Sequence, residues 1–156
     1  MKNLRVLFVC THNGARSQIA EKFAKLAADD RIEVHSASFE SERIGPLPKS
    51  VMAEIGIELQ SSPPKSIFER VKDHESFDYV IALCDPDSHE QVPIFLSIVD
   101  RLYHNTSKRF NWSIPNFRSI SGTDEDRKTK ARQIRDEIKT KVLDLLSQLG
   151  IDSDFA

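Results

Sequence analysis

The 156-residue chain has the size of one domain with a substantial core, and its 39% apolar and 29% charged residues are ordinary for a globular protein. A net charge of −2, with both signs interspersed, argues against binding to nucleic acid or to an anionic membrane surface. No apolar run is long enough to span a membrane, and no signal-peptide core precedes the first strand pattern. We therefore expect a single domain over residues 1–156 in the cytoplasm, where both cysteines stay reduced.

Short apolar runs predict four strands separated by helix-like segments. The runs cover Leu4–Val9, Ile32–Ala37, Tyr79–Cys84 and, more weakly, Arg109–Ile114. Strands that alternate with helices predict an α/β fold, in which a parallel sheet is covered on both faces and functional groups gather at the carboxyl ends of the strands. Cys10 and Cys84 each stand where a strand finishes, so we expect both at one edge of the sheet.

Apolar periodicity predicts the helices. The last one is clearest, because Thr123 is followed by an acidic turn, apolar residues recur every three or four positions, and Gly150 ends the pattern. Residues 85–111 show the least regular pattern and are predicted as a loop with short helices. The other helices are predicted over Ser17–Ala28, Leu47–Ile55 and Lys65–Lys72.

The most informative motif runs from Cys10 to Arg16, between the first strand and the first helix. The strand brings the sulfur to the sheet edge, loop N–H groups can turn inward, and the helix directs its positive end at the same point. These features favour a thiolate nucleophile, and the Arg16 guanidinium can bind two oxygens of a tetrahedral anion. The alternative is a buried cysteine near an unrelated surface arginine, but the Asn13-Gly14 turn and the Ser17 hydroxyl favour the catalytic interpretation.

The segment from Val6 to Glu21 resembles the low-molecular-weight tyrosine phosphatase superfamily, and within it the arsenate reductases. Gln18 follows the Arg-Ser pair, as in arsenate reductases, where the phosphatases usually carry proline. The resemblance implies a three-layer α/β/α fold of the phosphotyrosine phosphatase I type, with a four-stranded parallel sheet in flavodoxin-like order. It extends through Met52–Ile57, Asp78–Cys84, Trp112 and Gly122–Glu125.

The resemblance also implies roles for individual residues. Cys10 would be the nucleophile that attacks arsenic or phosphorus, and the Ser17 hydroxyl would support its thiolate. Cys84 stands where thioredoxin-coupled members have a second cysteine that attacks the Cys10–arsenic adduct and leaves a disulfide; the alternative is a buried thiol without a redox role. The oxyanion would be held by the Arg16 side chain and by loop N–H groups, those of Thr11, His12, Asn13, Gly14, Ala15 and Arg16.

One departure from the family pattern concerns the reductant. The thioredoxin-coupled enzymes pass their disulfide to a third cysteine just before a proline, but here Val92 precedes Pro93. An internal relay of three thiols therefore cannot operate. We expect an external reductant, either glutathione or mycothiol with a glutaredoxin-like protein, or thioredoxin acting on a Cys10–Cys84 disulfide.

A second departure concerns the general acid. The family usually places an Asp-Pro pair shortly after the tryptophan, and the matching pair here is Asn116-Phe117. Loss of a general acid typically costs about a hundredfold to ten-thousandfold, most for poor leaving groups. Three functions therefore stay open: arsenate reduction through external thiols, hydrolysis of phosphotyrosine or another aryl phosphate, and oxyanion binding without chemistry.

A third departure lies behind the loop, where some arsenate reductases of this kind bind potassium. Asn13, Glu21 and Ser36 match three of the positions that form such a site, but Lys65 replaces an aspartate. Our hypothesis is that the Lys65 ammonium replaces the cation with Glu21 as its partner, the alternative being a solvated lysine. The histidines lack a spacing suited to zinc, so we expect no metal and no other cofactor.

Overall fold

A computed structural model describes residues 3–11, 15–40, 43–60, 64–87, 92–104 and 108–151. Its centre is a four-stranded parallel sheet in the order β2-β1-β3-β4, which confirms the predicted α/β class and the flavodoxin-like order. The strands are β1 (Leu4–Cys10), β2 (Ile32–Ser38), β3 (Tyr79–Cys84) and β4 (Lys108–Ser113). The helices are α1 (Ala15–Ala28), α2 (Pro46–Ala53), α3 (Ile67–Lys72), α4 (Val92–Tyr103) and α5 (Asp124–Gln148), with a 3₁₀ turn at Phe117–Ser119.

The sheet separates two apolar clusters, which explains why β1 is apolar at nearly every position. Strand residues alternate between faces, and helices cover both faces. The α5-side cluster holds Phe8, Cys10 and Leu83 together with residues of α1, α2 and α5. The α4-side cluster holds Val9, Cys84 and residues of α3 and α4. No helix of the described part of the chain is both long and apolar enough to cross a membrane.

Helix α5 begins and ends where its sequence signals stand. The Thr123 side chain accepts a hydrogen bond from the backbone N–H of Asp126, whose carboxylate accepts from the backbone N–H of Thr123, so the two form a capping box. Gly150 follows the helix with φ 79°, a conformation that costs glycine little. Arg132 and Arg135 of α5 bind Glu54 at the end of α2, and Arg132 is the main cause of the lowered pKa of Glu54. These contacts fasten α2 against α5.

Helix α4 corrects the prediction of an irregular segment over residues 85–111. It has 12 residues and buries Phe95, Val99 and Tyr103, which recur every fourth position along one face. That spacing places one apolar stripe on the α4-side cluster. Pro93 lies in the first turn, where its missing N–H has no partner in any helix. Val92–Tyr103, about half of the sequence between Cys84 and β4, therefore form a regular helix.

Replacing Tyr103 with phenylalanine tests the packing of α4. The Tyr103 hydroxyl is buried without a hydrogen-bond partner among the described residues, and burial raises the pKa of Tyr103 to about 12. A tyrosine in the unfolded chain ionises near pH 10, so the stability that the neutral side chain contributes is complete below pH 10 and is lost as the pH rises toward 12. We expect Tyr103→Phe to be at least as stable at pH 7 and to lose less stability at pH 11 in urea unfolding. Tyr79→Phe is the control, and equal alkaline losses in both variants would contradict this account.

Candidate active site

The Cys10 sulfur lies at the carboxyl end of β1, fully buried, and faces the Ser17 hydroxyl. The distance from Cys10 Sγ to Ser17 Oγ is 3.2 Å, and Ser17 Oγ lies 3.2 Å from the carbonyl oxygen of Ala37. In this arrangement the thiol donates to Ser17, and Ser17 donates to Ala37. A thiolate needs a donor instead, and the single Ser17 proton supplies it only by turning away from Ala37. The Ser17 hydroxyl can therefore accept a hydrogen bond from a Cys10 thiol or, after rotation, donate one to a Cys10 thiolate.

Arg16 lies in the first turn of α1 and is buried, with 2% of its surface exposed. Its Nη1 donates to the carbonyl oxygen of Ile114 at 3.0 Å, and its Nη2 donates to the Thr11 hydroxyl at 3.1 Å. These bonds hold a permanent cation between the loop after β1 and the segment after β4. The N-terminus of the 14-residue helix adds positive potential at the same place. The combination favours a bound anion.

The start of the loop is fixed by the segment that follows β2. The backbone N–H of Phe39 donates to the Cys10 carbonyl at 2.9 Å, and that of Glu40 donates to the Thr11 carbonyl at 3.0 Å. Thr11 and Ala15 are both buried. The three remaining predicted oxyanion-binding residues, His12, Asn13 and Gly14, lie outside the described residues. The two described ends of the predicted cradle are therefore buried.

The two cysteines lie at the same sheet edge but on different faces. The register of β1 and β3 pairs Cys10 with Leu83, so Cys84 is one position further along. Cys10 belongs to the α5-side cluster and Cys84 to the α4-side cluster, and both are buried and not joined by a disulfide. Two cysteines whose side chains point apart cannot form a disulfide without backbone movement. A Cys10–Cys84 bond would therefore require the end of β3 to rearrange.

Asn116 caps the 3₁₀ turn that follows β4. Its Oδ1 accepts from the backbone N–H of Arg118 at 3.0 Å, and its own backbone N–H donates to Asp85 Oδ2 at 2.9 Å. The second Asp85 oxygen accepts from the backbone N–H of Asp87 at 3.0 Å. Sequence reasoning missed Asp85, although its place directly after a buried strand was a usable signal. The described site therefore contains a buried carboxylate next to Cys84 and an amide at position 116.

The hypothesis of a Lys65–Glu21 pair is wrong. Lys65 Nζ contacts the carboxylates of Asp73 and Glu75 instead, and the bond to Asp73 is the main cause of the raised pKa of Lys65. Glu21 binds Lys25, four positions along α1, at 3.0 Å and accepts from the Ser36 hydroxyl at 2.9 Å. The two acidic residues that follow α3 lie within reach of Lys65, whereas Glu21 already has a cation on its own helix.

Ser36 of β2, whose hydroxyl donates to Glu21, has its backbone carbonyl oxygen bound by an arginine. Arg70 donates to this oxygen from Nε at 3.1 Å and from Nη2 at 2.8 Å. Its Nη1 also binds the Glu75 carboxylate at 3.0 Å. A guanidinium thus binds Ser36, one of the residues that sequence reasoning assigned to the site of the lysine ammonium.

Comparison with known proteins identifies the family to which this loop belongs. The family model described as low molecular weight phosphotyrosine protein phosphatase matches residues 5–154. The chain belongs to the low molecular weight phosphotyrosine protein phosphatase family. This match confirms the resemblance drawn from the Cys10–Arg16 loop and its flanking sequence.

Relatives within this phosphatase family are named for arsenate chemistry. The chain is 30% identical to an arsenate reductase of Shouchella clausii over 137 residues, which are 88% of this chain and 91% of the relative. It is 40% identical to a glutaredoxin arsenate reductase of Synechocystis sp. over 82 residues, 51% of this chain and 60% of the relative.

Solved structures of this phosphatase family agree with the sequence comparison. An arsenate reductase in the phosphate-binding state aligns with a TM-score of 0.65 and 26% identity, covering 93% of this chain and 98% of the other. A thioredoxin-dependent arsenate reductase of Corynebacterium glutamicum aligns with a TM-score of 0.64 and 25% identity, covering 95% of this chain and 62% of the other.

Replacing Ser17 with alanine tests whether the Ser17 hydroxyl supports a Cys10 thiolate. A hydrogen bond to a charged group contributes about 1.5–3 kcal/mol, so its loss should reduce the thiolate population and the reactivity of the sulfur. We expect alkylation of Cys10 by iodoacetamide at pH 7 to slow about tenfold or more, measured by mass spectrometry of the Cys10 peptide. Ser147→Ala, an exposed serine of α5, is the control. Equal alkylation rates in wild type and Ser17→Ala would show that Ser17 does not support the thiolate.

Proposed function

We propose that this protein is an arsenate reductase in which the Cys10 thiolate attacks arsenate and external thiols release arsenite. The observation that carries the proposal is the buried Cys10 sulfur, hydrogen-bonded to Ser17, together with the Arg16 guanidinium, which is buried at the N-terminus of α1 and donates to the residue after Cys10. A thiolate and a fixed cation at one point suit nucleophilic attack on a tetrahedral oxyanion. The arsenate reductase names of its family relatives support the same choice of substrate.

The first step joins Cys10 to arsenic. The thiolate attacks arsenic(V), one arsenic–oxygen bond breaks, and the oxygen takes a proton and leaves as water. Arg16 and loop N–H groups balance the negative charge of the remaining oxygens. The product is a Cys10–S–As(V) adduct. Because arsenate can carry its own proton on the departing oxygen, this step tolerates an amide at position 116.

The second step reduces arsenic. An external thiolate attacks the Cys10 sulfur, the electron pair of the sulfur–arsenic bond passes to arsenic, and arsenite leaves as arsenic(III). A mixed disulfide between Cys10 and the external thiol remains. A second external thiol attacks that disulfide and releases Cys10 as a thiolate. Two thiols are oxidised for each arsenic reduced by two electrons, so the balance closes without a third protein cysteine.

The reductant that fits this site is a low-molecular-weight thiol, glutathione or mycothiol, working with a glutaredoxin-like protein. Attack by Cys84 is the alternative, and it would leave a Cys10–Cys84 disulfide for thioredoxin. The positions of Cys10 and Cys84 on opposite faces of the sheet favour the external thiol, because a small molecule needs no rearrangement of β3. We place the reaction in the cytoplasm, where such thiols are kept reduced.

Two cysteine variants distinguish these routes. We expect Cys10→Ser to abolish arsenite formation under all conditions, because it removes the nucleophile. Cys84→Ser should keep at least half of the wild-type rate with glutathione and glutaredoxin, and wild type with thioredoxin alone should be slow. Arsenite is measured directly in each reaction. A loss of more than tenfold in Cys84→Ser, with its melting temperature unchanged, would assign Cys84 to the mechanism instead.

Hydrolysis of aryl phosphates is the second candidate function, supported by the family match and the same loop. A good leaving group can depart without being protonated, so its hydrolysis depends less on a general acid. Asn116→Asp keeps an acceptor for the Arg118 N–H and adds a proton donor close to the buried Asp85 carboxylate, whose charge favours the protonated form of a neighbour.

We expect Asn116→Asp to raise kcat for phenyl phosphate about tenfold or more, and kcat for 4-nitrophenyl phosphate by a smaller factor. The reason is that a poor leaving group depends most on protonation. Asn111→Asp, the same change at an exposed position of β4, serves as the control. Equal factors for both substrates would show that residue 116 does not deliver a proton to the leaving oxygen.

A further inference from the structure

Asp85 is a buried carboxylate that the proposed reaction does not use. Only 7% of its surface is exposed, and it directly follows Cys84 at the end of β3. Burying a carboxylate costs free energy unless hydrogen bonds compensate. Its two oxygens accept from the backbone N–H groups of Asp87 and Asn116. One of these donors is close in sequence, and the other lies 31 residues away in the segment that follows β4, the neighbour of β3.

The bond from Asn116 to Asp85 fixes the segment that follows β4. Ile114, two residues earlier, donates its N–H to the Cys84 carbonyl at 2.9 Å. Residues 84 and 85 therefore hold residues 114 and 116 through two backbone donors. The Asn116 side chain then caps the 3₁₀ turn, and Phe117 packs into the α5-side cluster. The bond from Asn116 to Asp85 has a carboxylate acceptor, whereas the bonds to the Cys84 carbonyl and to the Asn116 amide have neutral ones, and hydrogen bonds to a charged group are the stronger class.

The same segment holds the cation of the site. The carbonyl oxygen of Ile114 accepts from Arg16 Nη1 at 3.0 Å, so the orientation of the guanidinium depends on where Ile114 lies. A displacement of the segment by a fraction of an ångström moves this acceptor. A bidentate grip on an oxyanion tolerates little misorientation of the guanidinium plane.

We propose that Asp85 is a positioning residue for oxyanion binding: through Asn116 it holds the Ile114 carbonyl, and the Ile114 carbonyl orients the Arg16 guanidinium toward the anion. The inference rests on the proposed function in one respect, that the Cys10–Arg16 loop binds a tetrahedral oxyanion. It predicts that Asp85 acts on oxyanion affinity without touching the oxyanion, and that it acts through Arg16.

The test measures inorganic phosphate binding by its protection of Cys10 from alkylation, a readout that needs no reductant and no turnover. Asp85→Asn keeps the shape of the side chain but turns an NH₂ group toward one of two N–H donors. We expect it to weaken phosphate binding about tenfold, the scale of one lost charge-assisted hydrogen bond. Asp87→Asn, an exposed carboxylate two residues away, is the matched control and should stay within twofold of wild type.

A double-mutant cycle shows whether Asp85 acts through Arg16. In an Arg16→Lys background the planar fork is gone, so Asp85→Asn should weaken phosphate binding less than twofold further. A tenfold effect that persists in that background overturns the proposal, as does wild-type affinity in the single variant. If phosphate does not protect Cys10 in the wild-type protein, the proposed oxyanion site itself is wrong. That result is distinct from one in which phosphate protects wild type and Asp85→Asn equally, which contradicts only the role of Asp85.

A second variant covers the case in which Asp85→Asn does not fold, as judged by the emission of Trp112, the chain's one tryptophan. Asn116→Pro removes the N–H donor from the other side of the bond, at a φ of −81° that proline adopts without strain. Asn116→Ala loses the same side chain but keeps the N–H. Phosphate binding weaker by about tenfold in the proline variant than in the alanine variant supports the proposal, and equal binding overturns it.

Discussion

The buried guanidinium of Arg16 is the constraint around which the site is arranged. Removing a permanent charge from water costs several kcal/mol unless the protein supplies acceptors in good geometry. Ile114 and Thr11 supply two of them, one from the segment after β4 and one from the loop after β1. An arginine so placed connects parts of the chain that are about a hundred residues apart in sequence. Both of these acceptors are neutral, so the positive charge of the guanidinium also attracts an anion such as a bound oxyanion.

The parallel sheet determines which groups can share this site. All four strands end at the same edge, so the residues that follow them converge: Thr11 after β1, Phe39 after β2, Asp85 after β3 and Asn116 after β4. The backbone bonds between these exits, from Phe39 to Cys10 and from Ile114 to Cys84, continue the ladders of the sheet beyond the strands. The loop proposed to hold the oxyanion is therefore supported by main-chain contacts from the segment after β2, and the Arg16 side chain ties it to the segment after β4.

Sequence reasoning predicted the features whose causes are local. Tyr79–Cys84 is an uninterrupted apolar run, and Thr123 and Gly150 mark both ends of α5, so the sequence alone predicts these elements within a residue or two. The order of the strands came from the family resemblance. Helix α4 was missed because Phe95, Val99 and Tyr103 stand among other apolar residues that hide their period.

The side-chain contacts of the site were harder to predict, because each depends on a choice among several partners. Three carboxylates were possible partners for Lys65. The fold places Asp73 and Glu75 in contact with its ammonium, whereas Glu21 forms its ion pair with Lys25. Asp85 was missed because its distant partner is a backbone N–H in the segment after β4, and a backbone donor leaves no mark in the residue type. The pairing of Cys10 with Ser17 was implied by the family resemblance, and the structure places the two side-chain atoms 3.2 Å apart.

The alternation of side chains along β3 sets the effective concentration of the Cys84 thiol at the Cys10 sulfur. In the native ladder that concentration is close to zero, because Leu83 faces the α5-side cluster and Cys84 faces away from it. Intramolecular oxidation can proceed only as often as residues 83–85 leave the sheet edge, which makes it a local-opening reaction. The rate at which the two cysteines join under an oxidant is therefore a direct measure of how firmly this edge of the sheet is closed.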